Sequence, residues 1–132
     1  MSDEPKAADG RDRPVILVDD DASVRESPSP LLGTPGFDVV AYGAGSQLLA
    51  DDRRQHARCL IVDQHMPGMD GLEILSALQG EGTRAPAILT TGRLDPAIAA
   101  RAESIGVKAI LEKPFPATRL IELVRSSLGE NN

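Results

Sequence analysis

Short apolar runs recur along the chain at the spacing of successive strand and helix pairs. They are VILV at 15–18, FDVVAY at 37–42, CLIV at 59–62, AIL at 87–89 and AIL at 109–111. Four of these five runs are apolar throughout, which is typical of parallel strands that are covered on both faces. The pattern therefore predicts five parallel strands linked by helices.

Three of the segments between and after these runs carry helical signals. DGLEILSALQ, at 70–79, repeats leucine at a spacing that places an apolar stripe on one face. LDPAIAARAESIG, at 94–106, has an aspartate cap, a proline at the first helical position and a glycine just past the end. PATRLIELVRSSL, at 116–128, repeats apolar residues at helical spacing. Because the segments share no residue pattern, we exclude a repeat protein and predict an open, doubly wound α/β sheet.

The first predicted helix is interrupted by prolines. It belongs to SVRESPSPLLGTPGF, at 23–37, where Pro28 and Pro30 would each cost about 3 kcal/mol in a helix interior. We expect a short helix over 22–26, an extended SPSP joint and a turn at 31–33. Two outcomes stay open: a monomer with a local irregularity, or a hinge that exchanges the N-terminal strand between the subunits of a homodimer.

Length, charge and cysteine content narrow the class of protein. The 132 residues suit one domain, placed at 14–128 between a tail expected to be disordered over 1–13 and a C-terminal tail over 129–132. The net charge of −6 argues against a nucleic-acid or membrane surface. The single cysteine, Cys59, together with the lack of a signal-peptide pattern or a long apolar run, favours a cytoplasmic protein.

Polar residues follow four of the five predicted strands at the point where each strand ends. They are Asp19 and Asp20, Asp63, Thr90 and Thr91, and Glu112 and Lys113. In an open parallel sheet these ends meet at the edge where ligands bind. Polar residues also simply mark where strands stop, but carboxylates, a hydroxyl and an ammonium together favour a functional site. The carboxylates need a partner, because two unit charges about 4 Å apart repel by about 1 kcal/mol in water and about 4 kcal/mol at a dielectric near 20.

Four motifs, taken together, resemble the receiver domain of bacterial two-component response regulators. They are ILVDDD, LIVDQHMPGMDG, ILTTG and LEKPF, in that order, and the resemblance covers residues 14 to about 128. The residue patterns MPGMDG and EKPF are most similar to those of the nitrogen-fixation-type receivers. The resemblance implies a flavodoxin-like sheet of five parallel strands in the order 2-1-3-4-5.

The resemblance also implies a role for each residue at the strand ends. Asp63 would accept the phosphoryl group, Asp19 and Asp20 would form the acidic pair, Thr91 would supply the hydroxyl, and Lys113 the cation. Phosphoryl transfer to a carboxylate requires that charge be neutralised, which suits Mg²⁺, a hard cation with oxygen ligands.

The metal would be held by a few of these oxygens. Asp20 and Asp63 would bind Mg²⁺ directly, Asp19 through water, and His65 through its backbone carbonyl; Mn²⁺ would substitute. Asp21 is one carboxylate more than the site needs, and we assign it to the following loop.

A switch is implied as well. Lys113, followed by a proline whose peptide bond is cis in the family, would pair with Asp63 at rest and with the phosphoryl group afterwards. Thr91 would move toward that group with the loop 91–95. The family usually has an aromatic residue three positions before the lysine, whereas this chain has Ile110, so we expect a different readout.

Other polar residues near the motifs have ordinary interpretations. His65 and Arg93 border the site and could tune the attack of water on an acyl phosphate, although a solvent-exposed loop position accounts for the His65 side chain. His56 and Cys59 are expected at the surface and in the core.

The implied partner is a sensor histidine kinase or a phosphotransfer protein. Only GENN follows the last predicted helix, so we expect a stand-alone response regulator in a phosphorelay, which is not an enzyme beyond its own phosphorylation and dephosphorylation. One alternative is a haloacid-dehalogenase-like phosphatase that uses Asp19, since DDDAS fits its nucleophile motif; no second acidic pair follows the fourth strand, however. The other alternative is a receiver that serves as an interaction module without phosphorylation.

Overall fold

A computed structural model describes residues 13–21 and 38–128. Within these residues, five strands form one sheet: β1 (Val15–Val18), β2 (Val39–Tyr42), β3 (Cys59–Asp63), β4 (Ala87–Thr91) and β5 (Ala109–Glu112). All pairings are parallel, and the order is β2-β1-β3-β4-β5. The predicted flavodoxin-like topology is confirmed.

Helices connect the strands. In the described residues they are α1 (Gly45–Leu49), a 3₁₀ helix (Asp52–His56), α2 (Gly71–Gly80), α3 (Pro96–Ile105) and α4 (Ala117–Ser127). The signals at the ends of α3 are confirmed, since Asp95 accepts a bond from the Ile98 amide and Gly106 ends the helix with a φ of 89°. None of the helices in the described part of the chain is long and apolar enough to cross a bilayer.

The core lies on both faces of the sheet. Alternate residues of the central strands point to opposite sides, so that Ile16 and Val62 pack with α1, α2 and α3 whereas Leu17 and Ile61 pack with α4. Every residue of β1 and β3 is buried, while the edge strands β2 and β5 are partly exposed. This burial explains why the central strands are continuous apolar runs.

Some predictions lie outside the described residues. They include the interrupted helix over 22–34 with its hinge prolines, Pro28 and Pro30, and nearly all of both tails, and they stay predictions. The described part of β2 begins at Val39 rather than at 37.

Tyr42 connects the end of β2 to the 3₁₀ helix. Its hydroxyl donates to Asp51 Oδ2 at 2.7 Å, and Asp51 also accepts from the Arg53 amide and forms an ion pair with its guanidinium at 3.0 Å. Burial, together with the bond to the anionic Asp51, raises the pKa of Tyr42 from 10.0 to about 12. Because the folded protein holds this proton more tightly than the unfolded chain, this part of the stability is present below pH 10 and is lost as the pH rises toward 12.

Replacing Tyr42 by Phe tests this linkage. We expect Tyr42→Phe to lower the free energy of unfolding at neutral pH by about 1 kcal/mol, the contribution of one hydrogen bond. We also expect the variant to lose stability less steeply than the wild type above pH 10. Urea unfolding of both proteins between pH 7 and the alkaline limit measures the difference, and parallel pH profiles would contradict the assignment.

Two glycines of α2 provide a matched test of packing against β3. A Cβ at Gly71 would lie 2.5 Å from the Asp63 carbonyl oxygen, whereas a Cβ at Gly80 would meet nothing within 4 Å. We expect Gly71→Ala to lower the free energy of unfolding by about 1–3 kcal/mol through overpacking. Gly80→Ala should raise it by about 0.5–1 kcal/mol through helix propensity. Urea unfolding checks both, and a Gly71→Ala variant as stable as the wild type would refute the close approach.

Candidate functional site

Three carboxylates meet at the carboxyl edge of the sheet. Asp19 and Asp20 follow β1, Asp63 ends the adjacent strand β3, and one carboxylate oxygen from each lies within 4.8 Å of the others. Asp19 and Asp63 are buried, with 2% and 4% of their surface exposed, whereas Asp20 is exposed. The strands thus bring together the acidic residues that the sequence predicts.

Lys113 lies between the two buried carboxylates. Its Nζ is 3.2 Å from Asp19 Oδ2 and 3.4 Å from Asp63 Oδ1, so the ammonium pairs with Asp19 as well as with the expected Asp63. The backbone amide of Lys113 donates to the Thr91 carbonyl at 2.7 Å, which fixes the end of β5 beside β4. The Lys113–Pro114 peptide bond is cis.

The electrostatics of this site favour a further cation. Burial raises the pKa of Asp63, and the charge of Asp19 adds to this effect, so that the nearby ammonium only partly offsets them. Burial lowers the pKa of Lys113, but the two carboxylates outweigh that effect and raise it overall. Three carboxylates lie beside the Lys113 ammonium in the described part of the chain, and oxygen ligands at this spacing fit a divalent cation such as Mg²⁺.

Asp21 lies outside the carboxylate group, as expected. Its backbone amide donates to Asp19 Oδ1 at 3.0 Å. Together with the Lys113 contact on Oδ2, this bond gives each carboxylate oxygen of Asp19 a donor. Asp19 is therefore held by the protein, whereas Asp20 faces solvent.

Thr91 ends β4 and is fully buried. Its Oγ1 donates to the Arg93 carbonyl at 3.1 Å, accepts from the Arg93 amide at 3.2 Å, and lies 3.0 Å from His65 Nε2. The contact with His65 was not predicted, because no local pattern indicates that an exposed loop histidine turns its ring toward β4. Thr91 ends β4 and His65 lies two residues past the end of the adjacent strand β3, which is the one signal that could have suggested the contact.

Gln64 is a buried residue that sequence reasoning missed. Its side-chain Oε1 accepts from the Leu72 amide at 2.9 Å, and its backbone carbonyl accepts from the Gly71 amide at 3.1 Å. These bonds attach the first turn of α2 to the backbone that follows Asp63. A polar residue just after a strand usually faces solvent, so this contact could not be expected from the sequence.

The loop after β4 is also tied to β5. Glu112 Oε2 accepts from the Leu94 amide at 3.2 Å, so the loop 91–95 is bonded to the strand that precedes Lys113. Ile110 lies in the same strand, is partly buried and packs against the larger core cluster. His56 is exposed and Cys59 is buried, as expected.

Comparison with known proteins agrees with this geometry. The family model described as "Response regulator receiver domain" matches residues 15–125. The transcriptional regulatory protein FixJ of Azorhizobium caulinodans is 36% identical over 118 residues, which are 89% of this chain and 56% of that protein. The C4-dicarboxylate transport transcriptional regulatory protein DctR of Rhodobacter capsulatus is 34% identical over 87% of this chain and 59% of its own length. The chain spans about half the length of these curated relatives.

Solved structures have the same fold. The chemotaxis protein CheY4 of Vibrio cholerae superposes with a TM-score of 0.79 and 26% identity, over 88% of this chain and 98% of that one. The response regulator StyR superposes with a TM-score of 0.77 and 33% identity, over 90% of this chain and 61% of that one. Sheet order, strand-end residues and family match lead to one conclusion: the chain belongs to the response regulator receiver domain family of two-component signalling.

Proposed function

We propose that the chain accepts a phosphoryl group on Asp63 from a sensor histidine kinase or a phosphotransfer protein, in a reaction that requires Mg²⁺. The observation that carries this proposal is the position of the Asp63 carboxylate. It ends a fully buried strand, lies with Asp19 and Asp20 within 4.8 Å, and is 3.4 Å from the Lys113 ammonium. The site thus combines a nucleophile, oxygen ligands for a metal and a fixed cation.

The carboxylates of Asp20 and Asp63 and the backbone carbonyl of His65 would hold the metal. Asp19 would act through water, since both of its oxygens already have donors within the protein. Mg²⁺, or Mn²⁺ in its place, would neutralise the carboxylates and the oxygens of the incoming phosphoryl group.

In the transfer, an Asp63 carboxylate oxygen forms a bond to phosphorus while the bond between phosphorus and the donor's histidine nitrogen breaks. The electron pair leaves with that nitrogen. Lys113 then pairs with a phosphoryl oxygen in place of the Asp63 carboxylate, and the Thr91 hydroxyl donates to another. Because Thr91 begins the loop 91–95, its movement shifts the loop and alters the surface near Leu94. Ile110 occupies the position where the family usually has an aromatic residue, and without a ring that turns inward this chain signals the phosphorylated state differently.

The alternatives have less support. In a phosphatase of the haloacid-dehalogenase type Asp19 would be the nucleophile, but here its two oxygens are engaged by Lys113 and by the Asp21 amide. An interaction module without phosphorylation would not need the carboxylate cluster and its repulsion.

The proposal concerns the receiver domain at 14–128. We place it in the cytoplasm without nucleic-acid or membrane contact, and the net charge of −6 favours the absence of such contacts.

The phosphorylation site is tested by mass. With Mg²⁺ and acetyl phosphate, the wild type is expected to gain one phosphoryl group, and Asp63→Asn is expected to gain none because the amide is not a nucleophile. Asp38→Asn, a change at an exposed aspartate before β2, serves as the matched control and should behave as the wild type. Intact-mass spectrometry measures the uptake, and undiminished uptake by Asp63→Asn would contradict the assignment.

The metal site is tested by stability. Asp20→Asn removes one charge from the cluster, so we expect the free energy of unfolding without metal to rise by about 1 kcal/mol. The same substitution should abolish the stabilisation that Mg²⁺ gives to the wild type, because binding to the folded state alone is what stabilises it. Urea unfolding over a series of Mg²⁺ concentrations measures both effects, again with Asp38→Asn as control. A Mg²⁺ effect that survives in Asp20→Asn would rule out this site.

A further inference from the structure

The Thr91 hydroxyl has three hydrogen-bonding groups of the protein around it. The Arg93 carbonyl, the Arg93 amide and His65 Nε2 lie 3.1, 3.2 and 3.0 Å from Oγ1. A hydroxyl has one hydrogen to donate and two lone pairs to accept with, so these groups fill all three positions when Nε2 carries a hydrogen.

The hydrogen of this hydroxyl is directed at the protein whichever way the histidine ring is protonated. When Nε2 carries a hydrogen, the ring donates to Oγ1 and the hydroxyl donates to the Arg93 carbonyl. When Nε2 is the acceptor, the hydroxyl donates to the ring. In both arrangements the hydroxyl must give up a bond before it can donate to a phosphoryl oxygen.

Two of the three contacts are local and one is not. The Arg93 bonds form within the turn that follows β4 and move with the loop 91–95. The His65 contact joins this turn to the loop after β3, 26 residues earlier in the chain. His65 is exposed, so its ring is not fixed there by burial in the core. Among the described contacts of Oγ1, this one alone ties it to another element.

We propose that His65 is a positioning residue that holds the Thr91 hydroxyl in the unphosphorylated arrangement and opposes its movement toward the phosphoryl group, whichever partner of the His65–Thr91 bond is the donor. The inference rests on the proposed function, because it concerns the regulation of the same site. Removing the imidazole removes the one described contact that ties the hydroxyl to the loop after β3, and so favours the state that binds a phosphoryl group. The expected gain is about two- to tenfold in affinity, the size of one ordinary hydrogen bond.

Beryllofluoride, a stable mimic of a phosphoryl group, allows an equilibrium test at saturating Mg²⁺. Its apparent Kd is measured by calorimetric titration for the wild type, His65→Ala, His65→Gln and His56→Ala. The glutamine retains an amide group near the position of Nε2, and His56 is an exposed histidine in the 3₁₀ helix. We expect tighter binding for His65→Ala and affinities near that of the wild type for the other two.

A double-mutant cycle tests the residue pair itself. In a Thr91→Ala background there is no hydroxyl to hold, so adding His65→Ala should leave the affinity unchanged. The Mg²⁺ affinity without beryllofluoride is measured for His65→Ala and the wild type as well, because the proposed metal site includes the backbone carbonyl of His65 and an effect on the metal has to be separated from an effect on Thr91.

Several results would overturn the proposal. They are unchanged or weaker binding by His65→Ala, an equal gain in the Thr91→Ala background, an equal gain for His65→Gln, or a Mg²⁺ affinity that changes by the same factor. Each would show that the effect does not come from the bond to Thr91. A wild type that binds no beryllofluoride would refute the proposed function and, with it, this inference, whereas binding that is insensitive to His65 would refute the inference alone.

Discussion

Three carboxylates within 4.8 Å of one another, two of them buried, are the constraint around which the rest of the site is arranged. Their repulsion is offset in part by the ammonium of Lys113, which reaches both buried carboxylates from the end of β5. The clustered oxygens suit a divalent cation, and in the proposed function this cation brings an anionic phosphoryl group to the edge of the sheet. The fully buried strands β1 and β3 hold the carboxylates together despite the electrostatic repulsion between them.

Hydrogen bonds and close packing attach the elements next to this cluster to the ends of β3, β4 and β5. Gln64 attaches the first turn of α2 to the backbone after Asp63, and Gly71 allows the close approach that this attachment requires. On the other side, Thr91 and Glu112 fix the loop 91–95 through hydrogen bonds to Arg93 and to the Leu94 amide. In the proposed function, a phosphoryl group on Asp63 takes over the Thr91 hydroxyl, and the loss of its present bonds converts phosphorylation into a change of surface.

Local signals in the sequence predicted much of this. Apolar runs predicted the strands, although β5, expected to be covered on both faces, is partly exposed. The Asp95, Pro96 and Gly106 signals predicted both ends of α3, and the strand-end residues predicted the carboxylate cluster. Each of these depends on neighbouring residues or on the general geometry of parallel sheets.

Other features could not be predicted because they depend on side-chain directions between distant segments. The His65–Thr91 contact, the buried Gln64 and the pairing of Lys113 with Asp19 are of this kind. The helix α1 and the 3₁₀ helix are too short for a periodic pattern to show.

The position of the phosphoryl group tests the central claim most directly. The protein is treated with acetyl phosphate, with and without Mg²⁺, and then with borohydride, which reduces an aspartyl phosphate to homoserine, and the modified residue is located by peptide mapping. A single homoserine at position 63, formed only when Mg²⁺ is present, is the result expected of a metal-dependent acceptor at the end of β3. Homoserine at position 19, or equal modification without Mg²⁺, would contradict it.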